Sequence, residues 1–598
     1  MAIFFGIGLV ALQCYFRGKI AASSLGNIRR DRNAYHAIRA RSLARCFYSL
    51  LVIALNNPFV CSQEQPRHTL VSPLTNEQSI LVEKAIVREK SIIKEIQKRT
   101  PLVETYIQNM RPDAKLYAVP ISDQYLLSRV EFDRTFTDKS YDSDEQDKGF
   151  LKGSVKAITG LSKFEYVSTG FMQMMFVDPV SFDQQHYDFA YVHRDFLGSV
   201  RTVVFDVHPK AGLGAGRFSG RIWIEDQGGN IVRFNGTYTG NTEDQPPRYF
   251  HFDSWRMNLQ PGIWLPVAVY VDETQRSVSE KAVGFRAQTH FWGYSLKLPA
   301  RDSDNVSIKI DDVTDKSQNS LDVSPLQAQR AWISEAEENV LDRLVKAGLL
   351  APPSDFDKIL ETVTNNVVIG NKLALPENIK CRVMLTAPLE SLAVGNTILL
   401  SKGLIDVLPY EENLASVLSF QLAHILLGHR IDTTFAFNDL LLFPDEATFS
   451  RINMQHTEAE DADASKKAIE LLNNSVYKDK LANAGLFFEQ LQARGKELAA
   501  LNTPLLGDSL LRHDGTPWLS ALMIGAPKLD HDKVDQIAAL PLGSHLRTDP
   551  WDDRVHQLAV KPVPLLNARD KMPLELTPII LKLSLYTPPS SPFLPTKP

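Results

Sequence analysis

Apolar residues recur along the chain at two spacings, and the changes between them divide it into three regions. Residues 74–110 carry apolar side chains at helical spacing among charges, with Thr75 or Asn76 placed to cap a helix. Over residues 116–298 the spacing falls to two, the period of half-buried strands. From Ala328 onward helical spacing returns. The pattern predicts a helical segment, a β-rich domain and a mainly helical domain, in that order.

The clearest strands of the middle region are residues 203–207, 221–225, 231–234, 249–252 and 264–271. Residues 226–230 contain two adjacent glycines and predict a hairpin loop between two of these strands. Short strands at this spacing predict an antiparallel sheet or an open barrel. Their rhythm resembles that of the periplasmic lipoprotein-carrier folds, in which a curved half-barrel shelters an acyl chain or a peptide. The resemblance implies a ligand of that kind.

Composition excludes two broad classes of protein. The chain has 598 residues, 44% of them hydrophobic, so it is not a disordered protein. A chain of this length forms about three or four domains. Its 65 basic and 70 acidic residues give a net charge of -5. Because this balance provides no summed positive field, we expect no nucleic-acid partner.

The N-terminal segment has the pattern of an export signal. Up to residue 62 it is rich in arginine and contains one acidic residue, Asp31. An apolar stretch at 46–55 is followed by a breaker at 56–58 and by small residues at 61–62, an order that resembles a signal peptide cleaved there. We therefore expect an exported protein of the periplasm or cell envelope. An earlier apolar run at 2–16 falls short of the ~20 residues of a membrane helix, and leaves open membrane association through an N-terminal anchor.

Three segments of the C-terminal half carry a family resemblance. Residues 393–404, 414–430 and 458–472 resemble, in order and spacing, the HtpX and CAAX-prenyl-protease type of zinc metallopeptidase, a gluzincin family. In that family the first segment is an edge strand that precedes the active-site helix. The second supplies His-Glu-x-x-His, and the third supplies a glutamate ligand in a Glu-x-x-Ala-Asp pattern. The resemblance, which covers residues 379–498, implies a zinc-dependent endopeptidase.

The helix motif has lost most of this chemistry. Phe420 stands at the first histidine and has no lone pair for zinc, while Gln421 stands at the glutamate and cannot accept a proton from water at neutral pH. Only His424 matches the metal-site residues of the family. For the third ligand, the preferred alignment places Asp461 at the ligand position, and the other register places Ala459 there. We therefore expect a vestigial zinc site at His424 and Asp461 and no catalytic residue.

Other donors near the motif do not restore the site by their spacing. His429 lies five positions after His424, about 140° around the helix and ~7.5 Å along it, which is a poor geometry for sharing one ion. Further donors on the following segment are His456, Glu458, Glu460, Asp461 and Asp463. Acidic clusters of this kind usually cover a solvated helix face, and we interpret this one in that way.

Together these patterns predict an α+β multidomain protein, with an antiparallel, open-barrel-like β domain followed by a mostly helical gluzincin-like domain. The predicted boundaries are an export signal or membrane anchor at 1–62, a helical segment at 63–115, the β domain at 116–300, a linker at 301–325, the gluzincin-like domain at 326–500, a C-terminal extension at 501–560 and a proline-rich tail at 561–598.

The leading functional hypothesis is an exported cell-envelope protein that binds polypeptide or lipoprotein substrates without cleaving them. A peptidase cleft holds an extended chain by strand addition to its edge strand, and that step needs no zinc. The edge strand predicted here consists of Thr397, Ile398, Leu399 and Leu400. Two alternatives stay open: an active zinc metalloendopeptidase of envelope protein quality control with a rearranged ligand set, and a structural scaffold.

Overall fold

A computed structural model describes residues 73–586, except for 114–116, 133–135, 141–170, 180, 213–216, 239–248, 275–283, 297–324, 376, 409, 434–435, 437–453, 530–545, 549–554 and 558–582. The predicted export signal, nearly all of the linker at 301–325 and most of the proline-rich tail lie outside the described residues. Among the described helices, none combines the length and the apolar composition needed to cross a membrane.

Helix α1 (Asn76–Ile96) begins where the sequence predicts it. Thr75 forms a capping box, in which its side chain accepts a hydrogen bond from the Gln78 amide and the Gln78 side chain accepts one from the Thr75 amide. The predicted continuation of the helix to residue 110 is wrong, because the chain enters strand β1 (Arg99–Asp113) instead. This strand is buried at every position from 101 to 108, so it lacks the alternation that marks a half-buried strand.

A ten-stranded antiparallel sheet follows α1, in the order β3-β2-β1-β10-β9-β8-β7-β6-β5-β4. Its other strands are β2 (Tyr117–Phe132), β3 (Phe136–Ser140), β4 (Tyr187–Leu197), β5 (Val200–Pro209), β6 (Phe218–Glu225), β7 (Ile231–Tyr238), β8 (Tyr249–Gln260), β9 (Ile263–Thr274) and β10 (Gly284–Leu296). The predicted antiparallel sheet is confirmed. In the described part of the chain the sheet is open, with β3 and β4 at its two ends.

The predicted hairpin loop lies between β6 and β7, at residues 226–230. Glu225 holds it together, because its carboxylate accepts hydrogen bonds from the Gly228 and Asn230 amides at 2.8 and 3.1 Å. Gly229 has a φ of 75°, a conformation that glycine adopts without steric cost.

The inner face of the large sheet is the face covered by α1. Alternate residues such as Phe205, Ile222 and Phe234 pack there against α1 and against a short 3-10 helix at Met172–Met175. A buried ion pair lies in this core: the guanidinium of Arg256 donates to both carboxylate oxygens of Glu89 on α1, at 2.5 and 2.7 Å. The pair fixes the helix on the sheet.

The C-terminal region combines helices with a small mixed sheet. The helices are α2 (Pro325–Lys346), α3 (Asp355–Gly370), α4 (Lys402–Val407), α5 (Glu411–Leu427), α6 (Glu458–Asn473), α7 (Leu481–Arg494) and α8 (Ala499–Asn502), with 3-10 turns at Lys478–Lys480 and Ser520–Gly525. The strands are β11 (Lys380–Met384), β12 (Glu390–Val394), β13 (Thr397–Ser401) and β14 (Asp508–Ser509), and a separate hairpin joins β15 (Leu546–Thr548) to β16 (Val555–Gln557).

Strand β13 lies inside the small sheet, whose order is β11-β13-β12-β14. It pairs in parallel with β11 on one side and antiparallel with β12 on the other, and all five of its residues are buried. The prediction that Thr397 to Leu400 form an edge strand is therefore wrong. Because neighbouring strands already occupy both sides of β13, a substrate peptide cannot add to it.

The two regions are joined through β1, β2 and β10. Side chains of these strands, including Tyr106 and Trp292, belong to the apolar core of the C-terminal region. Asp123 of β2 accepts hydrogen bonds from the Ala500 and Leu501 amides at the start of α8, each at 2.8 Å. The large sheet therefore helps to position the segment that leads from α8 into β14.

Candidate metal centre

Helix α5 is the central helix of the C-terminal region. Its first turn carries Glu411 and Glu412, which favour the positive end of the helix dipole, and Gly428 ends it in the left-handed conformation. All residues from 412 to 424 are buried. Polar side chains on such a helix, above all Gln421 and His424, lie in the interior, where each polar atom needs a partner.

Phe420 and Gln421 have structural roles at the positions where a peptidase would bind zinc and activate water. Phe420 is 1% exposed, and its ring meets the His424 ring edge-on with centroids 4.9 Å apart. Gln421 is fully buried, and its Nε2 donates to Ser391 Oγ at 2.8 Å and to Asp508 Oδ2 at 3.2 Å. The amide thus ties α5 to β12 and β14.

His424 lies between a histidine and an aspartate. Its Nδ1 is 3.1 Å from Nδ1 of His429, so these two atoms share one hydrogen. Its Nε2 is 3.4 Å from Asp461 Oδ1 on α6, yet neither of those two buried atoms has a hydrogen-bond partner. The predicted pair of His424 and Asp461 is brought together by the fold, and two facing polar atoms are left unsatisfied.

His456, just before α6, completes the group. Its ring stacks on that of His424 with centroids 3.9 Å apart. Asp508 of β14 accepts hydrogen bonds from both the backbone amide and Nδ1 of His456, each at 2.8 Å. With Nδ1 held in this way, Nε2 of His456 is the free ring nitrogen, and it is also buried without a partner.

The donor set fits a zinc-type divalent cation. One donor atom from each of His424, His456, Asp461 and Asp508 lies within 4.8 Å of the others, and all four residues are buried. Tetrahedral zinc with nitrogen and oxygen ligands requires donor–donor separations of about 3.4 Å. The distance from His424 Nε2 to Asp461 Oδ1 meets this value. Both oxygens of Asp508 already accept hydrogen bonds from protein groups, so this residue orients His456.

Without a cation, the pair formed by His424 and Asp461 is electrically neutral. Burial, assisted by His456, lowers the pKa of His424 to about 3. Burial also raises the pKa of Asp461 to about 8, with the carboxylates of Asp508 and Glu460 adding to the effect. At neutral pH Asp461 therefore keeps its proton and faces an uncharged His424. A bound divalent cation would replace that proton, because metal ligands bind in their deprotonated forms.

The structure separates the acidic segment around α6 into two groups. Glu458 and Asp463 are exposed, as the interpretation of a solvated face expects, whereas Asp461 and His456 are only 7% and 8% exposed and face inward. That interpretation is wrong for His456 and for Asp461. Ala459, which the other register places at the ligand position, is exposed, whereas Asp461 faces His424.

Sequence reasoning missed Asp508. This residue follows His456 by 52 positions and reaches it through the pairing of β14 with β12, in which each strand contributes two residues. A two-residue strand has no periodicity that could reveal it.

No protein-family model and no curated protein matches this chain. Among solved structures, a DUF1329 family protein from Desulfovibrio piger is similar at 11% sequence identity, over 38% of this chain and 97% of that one, with a TM-score of 0.23. A TM-score of this size does not define a fold family for the chain.

Proposed function

We propose that this chain is a metal-binding protein with a gluzincin-like domain that holds one zinc-type divalent cation and does not hydrolyse peptides. The observation that carries the proposal is that the buried cluster of His424, His456 and Asp461 contains three polar atoms without hydrogen-bond partners: His424 Nε2, His456 Nε2 and Asp461 Oδ1. Buried polar atoms are nearly always satisfied, so each exception requires an explanation. Two imidazoles and a carboxylate form a donor set that zinc accepts.

The neighbours of the three ligands favour the tautomers that a metal site needs. Asp508 accepts from Nδ1–H of His456, which leaves the Nε2 lone pair free. His424 reaches the same state when its Nδ1–H donates to Nδ1 of His429. The cation, when bound, supplies a cross-link between α5 and the start of α6. In this arrangement the role of the site is to stabilise the fold, because metal binding contributes to the free energy of folding.

Hydrolysis is not part of the proposal, because the described residues place an amide, and not a carboxylate, at the position of the catalytic base. Gln421 occupies the base position and its amide is used by Ser391 and Asp508. We expect Gln421→Glu to create no casein-degrading activity. It should instead lower the free energy of unfolding by about 1–3 kcal/mol, because two buried hydrogen bonds lose their donor. Denaturant unfolding and a casein assay measure the two effects.

The matched control is Gln492→Glu, on an exposed position of α7, which should leave stability unchanged. Hydrolysis by Gln421→Glu that phenanthroline abolishes and zinc restores would favour the alternative of an active peptidase with a rearranged ligand set.

Calorimetric titration of the chelator-treated full chain with zinc tests the proposal. We expect one binding site per chain. A chain that binds no zinc under these conditions would instead carry the neutral pair of protonated Asp461 and His424 as a permanent part of its core, and the proposal would be wrong.

Asp508→Asn tests the orienting role of the carboxylate. Loss of a carboxylate that orients a ligating histidine costs on the order of 10–100-fold in metal affinity, and we expect a loss in that range with the site still able to bind. The control Asp463→Asn removes an exposed carboxylate of α6 and should leave the affinity unchanged. Equal zinc affinity in both variants would remove Asp508 from the site.

We also propose that the protein is exported, on the basis of its N-terminal pattern of basic, apolar and small residues. The mass of the chain recovered from the envelope fraction of its native host should correspond to cleavage near residue 62. Recovery of the uncleaved chain from the cytosol would contradict export.

A further inference from the structure

The large sheet has a second apolar surface, opposite to the one covered by α1. We call it the outer aromatic face, and it consists of Val204, Trp223, Val232, Trp255, Met257 and Trp264. These residues alternate along their strands with residues of the inner core, so they project from the other side of the sheet. The C-terminal segment 583–586 lies on this face, and its Leu583 is 1% exposed.

The face binds backbone groups at both ends of this segment. The amide and the hydroxyl of Ser199 donate to the Leu583 carbonyl at 3.0 and 3.3 Å. At the other end, Asn258 Oδ1 accepts from the Tyr586 amide at 2.8 Å. Contacts of this kind do not depend on the side chains of the bound segment. Leu583 alone is fully buried within it, whereas Leu585 is 39% exposed.

Asn258 is oriented before the segment binds. It is 3% exposed, and its Nδ2 donates to the carbonyls of Gln260 and Ile263 at 2.6 and 3.0 Å. These two bonds belong to the turn between β8 and β9 and do not involve the C-terminal segment. The acceptor Oδ1 therefore points out of the sheet in a fixed position, and ordering it costs no side-chain entropy at the moment of binding.

We propose that the outer aromatic face is a binding site for extended polypeptide that carries a leucine-like side chain, and that residues 583–586 occupy it in cis as a displaceable strap. The ligand class follows from the contacts: one apolar side chain is buried, and a backbone carbonyl and a backbone amide three residues apart are recognised. This site is separate from the metal centre and does not depend on the cation. It also replaces β13 as the place where the chain binds polypeptide.

A labelled peptide of residues 578–590 tests the proposal by fluorescence anisotropy. A tethered segment is present at an effective concentration of about a millimolar, so the full chain should bind the peptide weakly. Leu583→Asp buries a charge when the strap is in place and should release it, so we expect the peptide to bind this variant at least ~10-fold more tightly. Leu583→Met keeps an apolar side chain of similar volume and should behave as the unaltered chain.

A truncated chain and an altered peptide serve as controls for this experiment. A chain that ends at residue 577 should bind the peptide as tightly as Leu583→Asp, and a peptide with aspartate in place of leucine at 583 should bind neither. Circular dichroism checks that each variant is folded. The proposal is overturned if neither altered chain gains affinity, because the segment would then be a permanent part of the sheet. Equal binding of both peptides would also overturn it.

Discussion

His456→Ala is expected to abolish stoichiometric zinc binding, and His424→Ala should do the same. Each change removes one of the two buried imidazole nitrogens of the cluster that have no hydrogen-bond partner. At a free zinc concentration of about 100 times the dissociation constant, binding should stabilise the unaltered chain by about 2.7 kcal/mol relative to chelator. Neither variant should gain that stabilisation. Elemental analysis and unfolding with and without zinc measure both effects.

The matched control is His513→Ala, which removes a histidine whose side chain is 94% exposed. This variant should keep both the zinc and the stabilisation by zinc. If His456→Ala retains a full complement of zinc while His424→Ala loses it, the metal would be held without His456, and the ligand set proposed here would be incorrect.

Glu89→Ala is expected to destabilise the chain by about 3–5 kcal/mol, because it leaves the charge of Arg256 buried without its partner. Arg256 is fully buried, and its remaining hydrogen bonds, to the carbonyls of Met175 and Ile231, do not neutralise it. Val177 also loses a hydrogen bond, since its amide donates to Glu89 at 3.1 Å. Denaturant unfolding followed by intrinsic fluorescence measures the loss.

Two comparison variants show whether burial is the reason. Lys466→Ala breaks an exposed ion pair with Asp463 and should cost less than about 1 kcal/mol. The double change Glu89→Leu with Arg256→Met removes both charges and should recover most of the loss, because replacing a buried ion pair by apolar side chains is often neutral or stabilising. If Glu89→Ala is as stable as the unaltered chain, the buried ion pair contributes nothing to stability.

The sequence predicted the parts of the fold that depend on local patterns. The cap at Thr75, the hairpin loop after Glu225 and the antiparallel sheet all follow from short-range spacing and turn residues, and the structure contains each of them. It did not predict β1, because both faces of that strand are covered and its apolar residues have no period of two. The sequence also did not predict the interior position of β13, because the order of strands in a sheet depends on long-range pairing and not on the residues of one strand.

The candidate metal centre was predicted only in part, for a similar reason. His424 and Asp461 were identified through a family resemblance. The fold places Nε2 of His424 3.4 Å from Oδ1 of Asp461. His456 was assigned to a solvated face because it neighbours four acidic residues, although its ring turns inward and stacks on His424. Asp508 reaches the group only through long-range strand pairing. Residues that the fold brings together from distant segments do not form a motif with a fixed spacing, so the sequence alone does not reveal them.

X-ray absorption at the zinc edge, on the full chain loaded with one equivalent of zinc, identifies the atoms that bind the metal. We expect two imidazole nitrogens and one or two oxygens at about 2.0–2.2 Å from the metal. A first shell that contains sulfur would place the metal at a cysteine, outside the proposed ligand set, and would show that this ligand set is wrong. A shell of oxygens alone would contradict it as well.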